Sequence, residues 1–302
     1  LRLAEVNIFS DVALVRQANE RITVDNNSPW ANIVHNRRVE FARSYLIHFF
    51  DHFQPLFLFI RGDGNPKFSI QDVGQLYLIE APFLVLGILW VFANAPGVAW
   101  LFVFWLVAAI APAAIARETP HALRIENTLP VWQIFSAVGI VTFLAGRSVR
   151  QKAWTILIAV LFLGNISYFA HNYFRHYAKE FSGEWQYGYA QTIAKIPTLA
   201  NTYDTVIISD FIGRPYMYTL FYERYDPNQF LKEKQSYFDT AGFYHVDGFG
   251  KYRFTHEGIG QPGEYEGRVL YVLPPAAVPE GVHIVDTITL LNGNPVLVLF
   301  EL

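Results

Sequence analysis

The 302-residue sequence contains no cysteine. That removes disulfides, thiolate metal sites and cysteine nucleophiles from consideration, and it is compatible with an oxidising exterior. Charge is scarce too: Asp, Glu, Lys and Arg make up 16% of the residues, against about 25% in an average domain. With a formal net charge of −3, the chain has neither the basic footprint of a nucleic-acid binder nor an acidic tail, so nucleic acid is not an expected partner. No glycine-rich phosphate loop, GxSxG elbow or HExxH sequence occurs, so no such motif names a reaction. The chain opens on Leu1 without a signal-peptide pattern, and it reads as a fragment whose N-terminal part is missing. Internal repeats and low-complexity tracts are also lacking.

What the chain has in abundance is apolar surface: 52% of residues are hydrophobic and 17% aromatic. Four runs have the length and apolarity of membrane helices, which need roughly 17–25 residues. They are VGQLYLIEAPFLVLGILWVF (73–92), GVAWLFVFWLVAAIAPAAIA (97–116), LPVWQIFSAVGIVTFLA (129–145) and AWTILIAVLFLGNISYFAHNY (153–173). Trp90, Trp100, Trp132 and Trp154 fall near their expected ends, where interfacial rings belong. The alternative is a set of buried helices in a large soluble core, which the very short linkers disfavour.

Orientation follows from the linkers. GRSVRQK (146–152) holds Arg147, Arg150 and Lys152 with no acid, so it is expected on the cytoplasmic side, together with the turn near Asn94 and Pro96. The loop ARETPHALRIEN (116–127) then lies outside, as do residues 1–72 and 176–302. Within 1–72, NRRVEFARSYLIHFFDHFQPLFLFI (36–60) runs from polar to amphipathic to almost wholly apolar. It reads as a helix lying on the outer leaflet, broken by the turn-rich RGDGNPKFS (61–69).

From His176 onward the pattern changes. Residues 176–302 hold 9 Lys+Arg against 15 Asp+Glu, a net of −6. EWQYGYAQTIAKIPTLA (184–200) and RPYMYTLFYERY (214–225) read as helices. TVIISD (205–210), RVLYVLPP (268–275), VHIVDTITL (282–290) and PVLVLFEL (295–302) read as strands. LNGNP (291–295) supplies an NG hairpin turn. The expected organisation is an exterior segment with an interfacial helix (1–72), transmembrane helices with an exterior loop at 117–127 (73–175), and an exterior α/β domain (176–302). The fold class is thus a mainly α-helical polytopic membrane protein with about four transmembrane helices and an exterior C-terminal α/β domain.

Several clusters could carry chemistry. The 116–127 loop sets Arg117, Glu118, His121, Arg124 and Glu126 between two apolar runs. Arginine forks suit phosphate oxygens, and Pro120 would start a short helix whose N-terminus also favours anions. One helical turn would place His121 and Arg124 on one face. The loop is therefore either a phosphate site at the membrane surface or an ordinary solvated connector. Glu80, inside the first span and followed by Pro82, is either an intramembrane functional carboxyl or a partner for backbone groups that Pro82 frees. His48 and His52 have metal-binding i, i+4 spacing, but no glutamate of the HExxH kind accompanies them, and no metal site is expected. The RGD at 61–63 reads as turn chemistry. His245, Asp247, His256 and His283 have no spacing that names a reaction.

The stretches NPKFSIQDVGQLYLIEAPFLVLGI and TPHALR, within a pattern covering most of the chain, resemble bacterial integral-membrane glycosyltransferases. These are similar to the dolichyl-phosphate-mannose-protein mannosyltransferases and the lipid A aminoarabinose transferases of the C-type superfamily. The resemblance implies an enzyme without cofactor that takes a sugar from a polyprenyl-phosphate carrier on the exterior face. The acceptor would be a protein, lipid or glycan, and the displacement inverting. The acidic general base of such enzymes lies in the first exterior loop, and nothing here matches it, so this chain looks like the C-terminal part. By analogy, His121 and Arg124, with Arg117 as a further candidate, would bind the carrier phosphate and neutralise it as it departs. The competing possibilities are a non-catalytic membrane protein with an exterior glycan- or partner-binding domain, and a transporter. The few polar residues in the spans disfavour the transporter.

Overall fold

A computed structural model describes residues 7–145, 149–199, 202–239, 243–256, 258–259, 265 and 267–302. Gly146, Arg147 and Ser148 of the expected cytoplasmic turn lie outside the described residues. The chain divides into two compact units, Leu1–Tyr173 and Phe174–Leu302.

The first unit is helical. Its N-terminal part has three helices, α1 (Val12–Val24), α2 (Pro29–Val34) and α3 (Arg37–Asp51). Asp11, Ser28 and Asn36 each start one of them by accepting a first-turn N–H with the side chain, as N-caps do. Glu40, Ser44, His48 and His52 recur every fourth residue, which sets them in one row along α3 and its end. Glu40, Ser44 and His52 are buried, whereas Val39, Leu46, Ile47 and Phe50 are exposed. Glu40 is paired with Arg21 of α1 at 2.8 Å. The helix is amphipathic, but its polar row faces the protein.

The helix expected over 36–60 ends at Asp51 instead, because Pro55 interrupts it before a separate π-helical turn, Leu56–Ile60. The N–H of Leu76 bonds to the Leu58 carbonyl at 2.8 Å, which holds residues 74–76 alongside that turn. A Cβ on Gly74 would lie 2.3 Å from the Leu58 carbonyl oxygen, so only glycine permits this approach.

The first apolar run is therefore not helical from residue 73. A 3₁₀ turn, Leu78–Glu80, leads into α4 (Ala81–Asn94). The Glu80 carboxylate accepts the Tyr77 N–H at 3.0 Å, and Pro82 sits in the first turn of α4, where proline is tolerated. Glu80 thus sits at the start of α4, where its carboxylate caps the preceding turn. Next come α5 (Pro96–Ile110), α6 (Val131–Phe143) and α7 (Val149–His171). Helices α4 and α6 meet at Gly87 and Gly139: a Cβ on Gly87 would lie 1.8 Å from the Phe135 carbonyl oxygen, and one on Gly139 would lie 1.9 Å from that of Phe83.

Among the described residues, two helices are long and apolar enough to cross a membrane, Pro96–Ile115 and Val149–Glu180. The other two expected spans are shorter: α4 has 14 residues and α6 has 13, roughly 20 Å each, against a hydrocarbon core of about 30 Å. The most apolar window of Val149–Glu180 is only 6% buried, leaving Ile156, Val160, Leu163 and Ile166 bare.

The second unit combines helix and sheet. Its helices are α8 (Tyr189–Leu199), α9 (Pro215–Tyr222) and α10 (Pro227–Glu233). Seven strands, β1 (Thr205–Ser209), β2 (Gln235–Phe238), β3 (Tyr244–Phe249), β4 (Tyr252–Thr255), β5 (Val269–Leu273), β6 (His283–Thr289) and β7 (Pro295–Glu301), form one sheet in the order β2-β3-β4-β1-β5-β7-β6. Central β1 runs parallel to both β4 and β5, and all other pairs are antiparallel. β1 and β5 are continuous apolar runs because both of their faces are covered: Val206, Ile208, Leu270 and Val272 enter one core cluster, and Ile207, Tyr271 and Leu273 another. The β6–β7 turn forms at Asn292 and Gly293, with Gly293 at φ +89° and the Leu290 N–H bonded to the Asn294 carbonyl. β2, β3, β4 and α10 did not stand out in the sequence. Tyr189, Ile193, Val206, Ile208, Leu270 and Leu299 lie within the largest core cluster.

Candidate functional site: the 117–128 loop and its cavity

The loop after α5 is fixed by its neighbours in the first unit. Three of its residues form successive bonds to side chains from 51–63: Thr119 Oγ1 donates to Asp51 at 2.8 Å, the His121 N–H to His52 Nε2 at 3.3 Å, and the Ala122 N–H to Asp63 at 2.7 Å. Asp63 is 3% exposed and also accepts the Asn65 N–H. The Gln71 amide donates to the Asp63 carbonyl and the Ser69 hydroxyl to that of Arg61, which folds 61–71 tightly around it.

The short helix expected to start at Pro120 begins later. The Thr119–Pro120 bond is cis, and a 3₁₀ helix covers Leu123–Thr128. The chain's own Asp63 carboxylate bonds the Ala122 N–H at its start, where the sequence suggested room for a phosphate.

The expected phosphate ligands separate. Arg117 points to the N-terminal segment, donating to the Asn7 carbonyl at 3.1 Å and to Ser10 Oγ at 3.3 Å. Arg124 stays in the loop, donating to the Glu118 carbonyl at 2.8 Å, with the Glu118 carboxylate at 3.8 Å. His121 is 7% exposed, with the Phe68 ring 4.6 Å from its own. Its Nδ1 lies 3.5 Å from Asp63 but has no hydrogen bond. Burial, then the Arg124 charge, hold the His121 pKa below the ordinary imidazole value. Burial does the same to His52, whose Nδ1 is 2.8 Å from the His48 carbonyl. That bond requires a proton on Nδ1, leaving Nε2 to accept from His121 as a neutral ring. Arg124 is therefore the cation that this cluster offers, and His121 positions the loop.

Beside the loop lies a half-open cavity of about 410 Å³. Leu58, Leu76, Ile125, Leu129 and Trp132 give it apolar walls. Gln75, Glu126 and Gln133 supply polar groups, and all three are exposed. The Trp132 indole N–H is buried without a partner. An apolar cleft with a few polar groups is the usual form of a small-molecule site, and this one suits an amphipathic ligand.

Among the described residues no cluster of three or more His, Cys, Asp or Glu could hold a metal; His48 and His52 instead lie along the polar row of α3. Sequence reasoning missed Asp63, which looked like an ordinary turn residue, and the cavity walls. The only local hint at Asp63 was an acid between two glycines in a turn-rich run. Its partners, His121 and Ala122, lie about sixty residues on. No protein-family model, curated protein or solved structure matches this chain.

Proposed function

We propose that this chain is the C-terminal part of a membrane glycosyltransferase that moves a sugar from a polyprenyl-phosphate carrier to a protein, lipid or glycan acceptor on the exterior face. The observation that carries the reading is the cavity beside the 117–128 loop. It combines apolar walls for a lipid chain with exposed polar groups; Arg124 is on the same 3₁₀ turn as the lining residues Leu123 and Ile125 but outside the wall itself, bonded to Glu118.

The membrane assignment draws on a second observation. A helix that is apolar all round must be covered by protein or lipid, and α7 is almost bare. The outward apolar side of α3 fits a lipid interface, with Arg37 and Arg38 exposed at its start for headgroup phosphates. The two short helices then serve as spans with help from flanking residues and local thinning of the bilayer. In this reading Arg124 meets the carrier phosphate, and His121 and Asp63 hold the loop in position.

The test is polyprenyl-phosphate binding by the chain in lipid nanodiscs. Arg124→Ala removes a charge-assisted bond of about 1.5–3 kcal/mol, a loss of roughly ten- to a hundredfold in affinity. Arg124→Lys recovers part, because an ammonium cannot supply the bidentate fork. Wild-type affinity in Arg124→Ala overturns the phosphate role of the loop.

A further inference from the structure

The second unit holds a crevice that no motif announced. β1 is flanked by two parallel strands, β4 and β5. The carboxyl ends of such strands, where connections leave to opposite sides, are the standard place for a ligand in a parallel sheet. The Asp210 N–H bonds to the Thr255 carbonyl at 2.9 Å, so Asp210 and His256 leave neighbouring strand ends side by side. His256 Nδ1 and Asp210 Oδ1 are 2.8 Å apart. The chain then turns through Gly213, whose φ of +150° and closeness to the Gln186 amide favour glycine, and delivers Arg214 at the start of α9.

These groups line a cavity of about 90 Å³. From β3 and its surroundings come His245, Asp247 and the rings of Tyr237 and Tyr244. Tyr237 lies against the His245 ring at 5.2 Å and 15°, and His245 is paired with Asp239 at 2.9 Å. Arg214 and Asp247 are exposed.

We propose that this crevice is a carbohydrate-binding site for the terminal residue of an uncharged glycan. The proposal does not rest on the transfer reading above. Its lining offers acceptors (Asp210, Asp247), a donor (Arg214) and a hydroxyl that does both (Tyr237). That mixture matches sugar hydroxyls, which donate and accept at once. The Tyr237 ring is exposed and stacked on one side by His245, which leaves its other side for the C–H face of a pyranose. The net of −6 over residues 176–302 disfavours phosphates and acidic sugars. At about 90 Å³ the crevice admits part of one sugar ring, which suits the end of a glycan rather than an extended chain.

The test is saturation-transfer NMR on the full chain in nanodiscs. The probes are the methyl glycosides of glucose, galactose, mannose and N-acetylglucosamine, with glucuronate, inorganic phosphate and glucosamine as charged comparators. At least one neutral glycoside should give a saturable signal. Arg214→Ala and Asp247→Ala should each weaken it by about tenfold or more, the loss expected for one charge-assisted bond. Both residues are exposed, and Tyr237→Ala provides a third variant that acts through ring stacking. Lys232→Ala, at an exposed position on α10 outside the cavity lining, should leave the signal unchanged. No saturable neutral ligand, preference for a charged comparator, or a signal that survives both Arg214→Ala and Asp247→Ala overturns the proposal.

Discussion

In residues 174–302, Ile193, Val206, Leu270 and Leu299 go inside, and chains such as Lys195 and Asp286 meet nearer the surface. In residues 7–173, α3 does the reverse: Glu40 and His52 are buried, while Leu46, Ile47 and Phe50 are bare, and α7 leaves most of its apolar surface uncovered. The same physics applies to both units, and in the membrane reading proposed above the contrast reflects different surroundings. Water rewards the burial of apolar groups. Lipid offers no such reward, and helices held there depend on close backbone packing and on internal partners for every polar group. Gly87, Gly139, the Glu40–Arg21 pair and the Asp63 contacts fit that second regime.

The largest expected effect separates close packing from mere glycine content. Gly87→Ala or Gly139→Ala would drive a methyl into a carbonyl at under 2 Å, which the helices relieve only by moving apart. A loss of roughly 1–3 kcal/mol is expected for such overpacking, read as thermal unfolding in nanodiscs. Gly164→Ala, with nothing within 4 Å of the added Cβ, should be neutral or gain up to about 1 kcal/mol from helix propensity. Equal effects at Gly87 and Gly164 would remove the packing argument.

Next in size is Asp63→Ala. It strands the N–H groups of Asn65 and Ala122 that the carboxylate now accepts. With Ala122 half-buried, about 1–3 kcal/mol is at stake for an unmet donor. Faster proteolysis within 117–128 than in wild type is the expected readout, and unchanged cleavage would show that the loop does not depend on Asp63.

A smaller effect is pH dependence. His52 and His121 both have folded pKa values below the ordinary one, so the unfolded chain takes up protons first as pH falls through about 6.5. Stability is then full above that pH and declines below it. The midpoint of thermal unfolding should drop between pH 7.5 and 5, and the drop should shrink in a His52→Gln/His121→Gln variant. An identical pH slope in that variant would assign the effect elsewhere.

Much of the second unit was legible because its strands are local runs with clear punctuation. TVIIS, VLYVL and the NG turn each state their conformation within a few residues. β2 to β4 were not, because QSYF and YRFT are short and mixed, and only their neighbours make them strands. In the first unit, apolarity hid the helix starts. The Tyr77–Glu80 cap and Pro82 marked the beginning of α4, but the apolar run extends past them on the N-terminal side. At the candidate site, the clustering of basic residues in 117–127 was visible. The roles of Asp63 and His52 were not, since they arise from contacts 59 and 69 residues apart.

The central claim is that residues 7–173 face lipid where they expose apolar side chains. The absence of cysteine makes single-cysteine spin labelling straightforward. Labels at Phe50 and Leu163 in nanodiscs should be relaxed strongly by oxygen and weakly by a water-soluble nickel complex, whereas a label at exposed Ile284 on β6 should show the opposite. Strong relaxation by the nickel complex at Phe50 and Leu163 would contradict the account.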